Sequence, residues 1–181
     1  ILIKEMSKRG INDGICIVGE PTNMKIIDGH KGTYEYTTHF TGLAGHGSAP
    51  QKGVNTIEYA AKYINKLLEI RETLKTRVPK DSFFDPPYTT LQIGGINGGI
   101  ARNVIADKCH VDWELRPVVK EDGVWVNSEI DKFANKILLP EMKKVHTESS
   151  IKKEIIGEII AFSRDKKSEA CELVSSLTGD N

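Results

Sequence analysis

Hydrophobic and polar positions alternate with period two over residues 33–41. Tyr34, Tyr36, Thr38 and Phe40 share one side, and Thr33, Glu35, Thr37 and His39 the other, which predicts a strand with one face buried. The alternation returns over Val104–Arg116, with Ile105, Cys109, Val111, Trp113 and Leu115 opposite Lys108, His110, Asp112, Glu114 and Arg116. Residues 88–96 and 151–162 read as two further strands, the second with a bulge expected at Gly157. Between them the period lengthens to that of a helix. Asn55 and Glu58 predict an N-cap and capping box for a helix with Ile57, Ala60, Ala61, Ile64, Leu67, Leu68 and Leu74 inward. Ser128 predicts the cap of a second helix with Ile130, Phe133, Ala134, Ile137 and Leu138 inward, and Pro140 forces a break or a fresh start. The order β-α-β-β-α-β predicts an α+β fold of the ferredoxin-like kind, one four-stranded antiparallel sheet with two helices on a single face.

The ends follow another pattern. Residues 1–7 read as a helix remnant closed at Gly10. Residues 14–18 form an unbroken apolar run, which predicts a strand buried on both faces of a parallel sheet. Ser168 predicts the cap of a last short helix bearing Ala170, Cys171, Val174 and Leu177. A small α+β domain, residues 22–163, inserted into a larger α/β domain accounts for both. On this reading residues 1–21 and 164–181 are remnants of the larger domain. The chain does not open with Met and starts in mid-helix, so an excerpt of a longer protein is expected.

Composition narrows the function classes. The chain has 181 residues, 39% hydrophobic and 28% charged, an ordinary globular balance. Lys+Arg and Asp+Glu are 25 each, so the net charge is zero. Nucleic-acid and anionic-membrane partners call for a positive excess, and neither is expected. Cys16, Cys109 and Cys171 are odd in number and far apart, which predicts buried free thiols and a cytoplasmic setting rather than a disulfide framework.

Few residues stand out as chemical. Glu20 ends the predicted parallel strand, where ligands gather in open α/β sheets, though by spacing it reads as a solvated turn residue. His39 and His110 alternate with core positions, and His146 follows a lysine pair at a helix end. His46 is displayed between glycines in Gly45-His46-Gly47-Ser48-Ala49-Pro50. Read singly it is a loop residue, but an imidazole so placed can donate a hydrogen bond to a developing oxyanion. Gly94–Gly99 lies between two predicted strands and reads as a hairpin, not a phosphate loop.

Taken in order, several motifs share one resemblance. They are Cys16-Ile17-Val18-Gly19-Glu20-Pro21-Thr22, His30-Lys31-Gly32, the His46 loop with Gly53-Val54-Asn55, Gly98-Gly99-Ile100-Ala101-Arg102-Asn103-Val104-Ile105, and Trp113-Glu114-Leu115-Arg116-Pro117. The set resembles the co-catalytic zinc amidohydrolases and metallopeptidases, a superfamily of deacetylases, desuccinylases and glutamate carboxypeptidases. Pro86-Pro87-Tyr88-Thr89-Thr90 and Leu138-Leu139-Pro140-Glu141-Met142 resemble its acetylornithine deacetylase branch, as does the closing Leu177-Thr178-Gly179-Asp180-Asn181.

The resemblance implies that the α+β insert is a lid through which the parent protein forms a homodimer. It implies two zinc ions, or another divalent metal such as cobalt, in the larger domain. The implied activity is removal of the acetyl group from N-acetyl-L-ornithine in arginine biosynthesis, with a sister desuccinylase or carboxypeptidase as the alternative. Glu20 resembles a carboxylate zinc ligand. His46 resembles the lid histidine that stabilises the oxyanion in the partner subunit's site. Asn103 and Arg116 resemble the pair that grips the substrate, a small N-acylated amino acid. The family's other metal-binding motifs do not occur here, so the chain by itself is expected to be a metal-free, inactive dimerisation module. Ala106 stands where the family usually has proline.

Overall fold

The computed structural model describes residues 2–11, 14–165 and 167–179. Ile1, Asp180 and Asn181, which figure in the sequence-based expectations, lie outside the described residues. The chain divides into two compact units, one of residues 1–30 with 163–181 and one of residues 31–162.

The second unit carries the sheet. Strands β1 (Thr33–Thr41), β3 (Thr90–Gly98), β5 (Lys108–Arg116) and β6 (Ser150–Ile159) pair in the order β3-β5-β1-β6, every pair antiparallel. This is the ferredoxin-like arrangement read from the sequence. The alternation in β1 lands in register: Tyr34, Tyr36, Thr38 and Phe40 are buried, and Glu35 and His39 exposed. The bulge at Gly157 is present: Glu35 faces Gly157 while Tyr36 faces Ile155, leaving Ile156 unpaired. The predicted strand over Val104–Arg116 is two strands, β4 (Val104–Ile105) and β5. The joint has a physical cause. The Ala106 carbonyl accepts from both Thr56 N and Thr56 Oγ1, and the Asp107 carbonyl accepts from Gly42 N, so neither is free for a ladder.

Helix α2 (Thr56–Leu74) begins as expected, Asn55 accepting from Ile57 N at 3.1 Å. The capping box takes another form: Glu58 accepts from the Asn55 side-chain amide, not from its backbone. The inward face is Thr56, Ala60, Tyr63, Leu67, Ile70 and Leu74, with Ile57 exposed. The helix is rotated from the expected face because Tyr63 carries its ring into the core, edge-on to Phe40.

The second helix departs further from expectation. It starts at Lys120, not Ser128: α3 spans Lys120–Phe133, a π turn covers Ala134–Leu138, and α4 runs Leu139–Lys143. Asp122, 2% exposed, anchors the start by accepting from Arg77 Nε at 2.8 Å and from Thr89 Oγ1. Gly123 is no loop residue. A Cβ there would stand 2.6 Å from the Tyr34 ring, so glycine lets α3 seat on β1. Pro140 makes the fresh start: Leu139 N reaches back five residues to Ala134 O, and proline falls in the first turn of α4.

Under the helices, Trp113 Nε1 donates to Thr38 Oγ1, which donates to the Tyr63 hydroxyl, both at 3.1 Å. Burial pushes the Tyr63 phenol up, so it stays neutral and remains a partner. This buried relay satisfies every polar tip the two aromatic rings bring inside.

In the first unit, α1 (Leu2–Lys8) and α5 (Glu169–Thr178) form as read, the latter capped by Ser168 Oγ accepting from Cys171 N. Arg164 Nε pairs with Asp28 at 2.6 Å. The expected buried strand is absent. Residues 14–20 are irregular, and Ile15, Ile17 and Val18 are 46%, 58% and 72% exposed. A parallel strand needs neighbours for its N–H and C=O groups, and none of the described residues pairs with this segment. The cysteines correct the expectation of uniform burial: Cys109 is buried, with its thiol pushed up by desolvation, while Cys16 is exposed and Cys171 half-buried. No helix of the described residues is long and apolar enough to cross a membrane.

Candidate functional site

The loop over residues 42–53 is held more tightly than its glycines imply. Gly45–His46 forms strand β2, which pairs antiparallel with β4, Gly45 facing Ile105 and His46 facing Val104. Leu43 and Val54 bridge at the neck, and Gly47 N donates to Asn103 O at 2.8 Å. Glycine is required at two positions here: a Cβ at Gly42 would clash with Val54 O, and one at Gly53 would fall 2.8 Å from Leu43 O, while one at Gly47 would press on the Asn103 backbone at 3.2 Å. His46 is therefore exposed but stands on a pinned backbone, with Asn103 beside it. Its Nδ1 lies 2.7 Å from Ser48 Oγ and 3.2 Å from Ser48 N.

Arg116 ends β5. Its Nε donates to Glu114 at 3.0 Å, its Nη2 lies 2.8 Å from the same carboxylate, and its Nη1 donates to Thr33 Oγ1 at 2.7 Å. Three of the five guanidinium N–H groups are thereby engaged, and two remain for a ligand carboxylate. Glu114 and Arg116 stand two apart on one strand face, a spacing that marks them as a pair in the sequence itself.

Position matters most. Thr41, from which the His46 loop departs, faces Lys108 at the start of β5, and Arg116 lies at its end. Eight residue steps along β5 separate the two, about 26 Å. His46 and Asn103 come together at one end of the sheet; Arg116 stands at the other. Glu20 lies in the first unit, exposed, its carbonyl accepting from Thr22 N. Among the described residues no three His, Cys, Asp or Glu side chains group as a metal site.

The two sheet edges differ in chemistry. β6 carries Lys152, Lys153, Glu154 and Glu158 and is bulged, features that resist edge-to-edge pairing. β3 is bulged as well, at Gly94, but carries no charge along its nine residues. Beside it lies the part-exposed flank of α2, Ile57, Ala61, Ile64 and Leu68. Ile57 Cδ1 would stand 3.1 Å from a Cβ on Gly99, just past β3.

Residues 28–142, more than half of the chain, match the family described as the peptidase dimerisation domain. The chain belongs to that family. Among curated proteins it is similar to acetylornithine deacetylase of Edwardsiella ictaluri (strain 93-146), 38% identical over 125 residues, 69% of this chain and 31% of that one. The acetylornithine deacetylase of Proteus mirabilis (strain HI4320) is 41% identical over 108 residues, 60% of this chain and 28% of that one. The chain thus spans about a third of the length of the curated relatives it matches. Among solved structures, aminopeptidase PepT from Bacillus cereus superposes with a TM-score of 0.60 at 19% identity, over 87% of this chain and 38% of that one. A hydantoinase/carbamoylase family amidase from Burkholderia vietnamiensis gives 0.60 at 13%, over 85% and 34%. The solved structures establish the fold of this dimerisation domain, and the curated relatives are hydrolases.

Proposed function

We propose that this chain is the lid and dimerisation portion of a cytoplasmic, metal-dependent amidohydrolase that cleaves N-acetyl-L-ornithine to ornithine and acetate in arginine biosynthesis. The similarity to acetylornithine deacetylases supports the substrate. The observation that carries the mechanism is the exposed His46 imidazole on a pinned strand beside Asn103, at the end of the sheet opposite Arg116, with the length of β5, about 26 Å, between the two ends.

One small substrate cannot touch both ends of the same sheet. Two copies related by a twofold axis resolve this. Each lid offers His46 and Asn103 to the partner's site, while Arg116 grips the substrate carboxylate in its own subunit with its planar fork. His46 donates to the tetrahedral oxyanion, and Asn103 steadies the acyl end. The twofold pairing runs along the uncharged β3 edge and the apolar flank of α2.

Of a zinc-binding set the described residues supply one member, Glu20. A catalytic zinc takes about three protein ligands, so these residues do not fit a metal site by themselves. Their own share of the chemistry is to hydrogen-bond the oxyanion and to bind the substrate carboxylate. By this proposal the isolated chain dimerises and does not catalyse.

Assay of the full-length protein against N-acetyl-L-ornithine and N-succinyl-diaminopimelate tests the substrate. A clear preference for the acetylated substrate is expected; preference for the succinylated one would reassign the chain to a desuccinylase.

A further inference from the structure

We propose that Ser48 is a positioning residue that holds His46 as the tautomer with its proton on Nε2, leaving that nitrogen as the hydrogen-bond donor. The proposal rests on the reading of His46 as an oxyanion donor and deepens it.

Proton counting fixes the tautomer. The Ser48 backbone N–H points along a direction fixed by its peptide plane, and it meets His46 Nδ1 at 3.2 Å. A nitrogen that accepts a hydrogen bond carries a lone pair, not a proton. The Ser48 hydroxyl, 2.7 Å from the same nitrogen, rotates to donate there as well. A neutral imidazole has one N–H, so it sits on Nε2. Only that tautomer presents a donor away from Ser48, and only a donor stabilises an oxyanion.

The backbone makes the arrangement rigid. Ala49 N donates to His46 O at 3.0 Å, closing a turn with Gly47 and Ser48 at its corners. Gly47 is tied in turn to Asn103 O. Gly47 has no side chain, so nothing at that position stands between the hydroxyl and the ring. Among the described residues no protein group is bonded to His46 Nε2, which leaves it available to a ligand.

The test joins ring spectroscopy to kinetics. Long-range 1H–15N correlation spectra of the neutral His46 ring should show an unprotonated Nδ1 and a protonated Nε2 in the unaltered chain. In Ser48→Ala the Nδ1-protonated tautomer should rise to a measurable share, because the hydroxyl at 2.7 Å is lost and the longer backbone N–H contact alone then favours a lone pair on Nδ1. In the full-length enzyme the same substitution should lower kcat about five- to tenfold with KM unchanged. Ser48→Thr should restore both. A protonated Nδ1 in the unaltered chain would overturn the proposal and needs no variant. So would Ser48→Ala with unchanged ring shifts and unchanged kcat while His46→Ala is inactive. Full activity in His46→Ala would instead remove the oxyanion reading, and the ring spectra would still judge the tautomer.

Discussion

His46→Ala in the full-length enzyme is expected to depress kcat by about a hundred- to a thousandfold, the usual cost of deleting an oxyanion donor. The strand that carries His46 is held by backbone pairs to Val104 and Asn103 and by the Leu43–Val54 bridge, not by the imidazole. The side chain is exposed, so its removal should leave the fold, and any dimer and metal content of the full-length protein, as they were. A donor used only in the transition state lowers kcat and kcat/KM together. Steady-state kinetics with sedimentation and metal analysis check this. A variant with near-full activity would show that His46 only fills the turn.

Ile96→Lys is expected to weaken the dimer by about a hundredfold or more, because pairing along β3, as proposed, would then bury a charge without a partner. Ile96 is 51% exposed on β3, on the sheet side that carries α2. A twofold axis presents the substitution twice. Activity should fall with dilution as the dimer parts, since each site lacks its donor without the partner. Ile155→Lys on β6, where Ile155 is 59% exposed, is the control and should leave the dimer intact. Analytical ultracentrifugation of both variants decides between the edges. Dissociation by Ile155→Lys and not by Ile96→Lys would move the interface to β6.

The sheet and its order are legible in the sequence because period-two burial leaves little freedom: a one-residue slip would turn Tyr34, Tyr36 and Phe40 to solvent. Gly157 is legible as a bulge because a side-chain-free residue in a strand has few other uses. The start of α3 is not. Ser128 reads as the cap, and what overrides it is tertiary: Asp122 held by Arg77 and Thr89, and a Tyr34 ring that only glycine at position 123 admits. The apolar run at residues 14–18 forms no strand for the converse reason, since hydrophobicity marks a buried strand only where strands exist to pair with it, and the described residues supply none. At the candidate site, the glycine-flanked loop that carries His46 is legible in the sequence. The partnership of Ser48 with Nδ1 is not, because it depends on a turn that spacing does not reveal.

That His46 and Arg116 of one chain serve different sites is tested most directly by subunit mixing. Full-length His46→Ala and Arg116→Ala homodimers should each be nearly inactive at low substrate. After subunit exchange in equal amounts, half of the dimers are mixed, and each mixed dimer holds one site with both residues intact. Activity should return to about a quarter of the unaltered enzyme's. No recovery despite proven exchange would mean that both residues act on the same site, and would contradict a lid that works across the dimer.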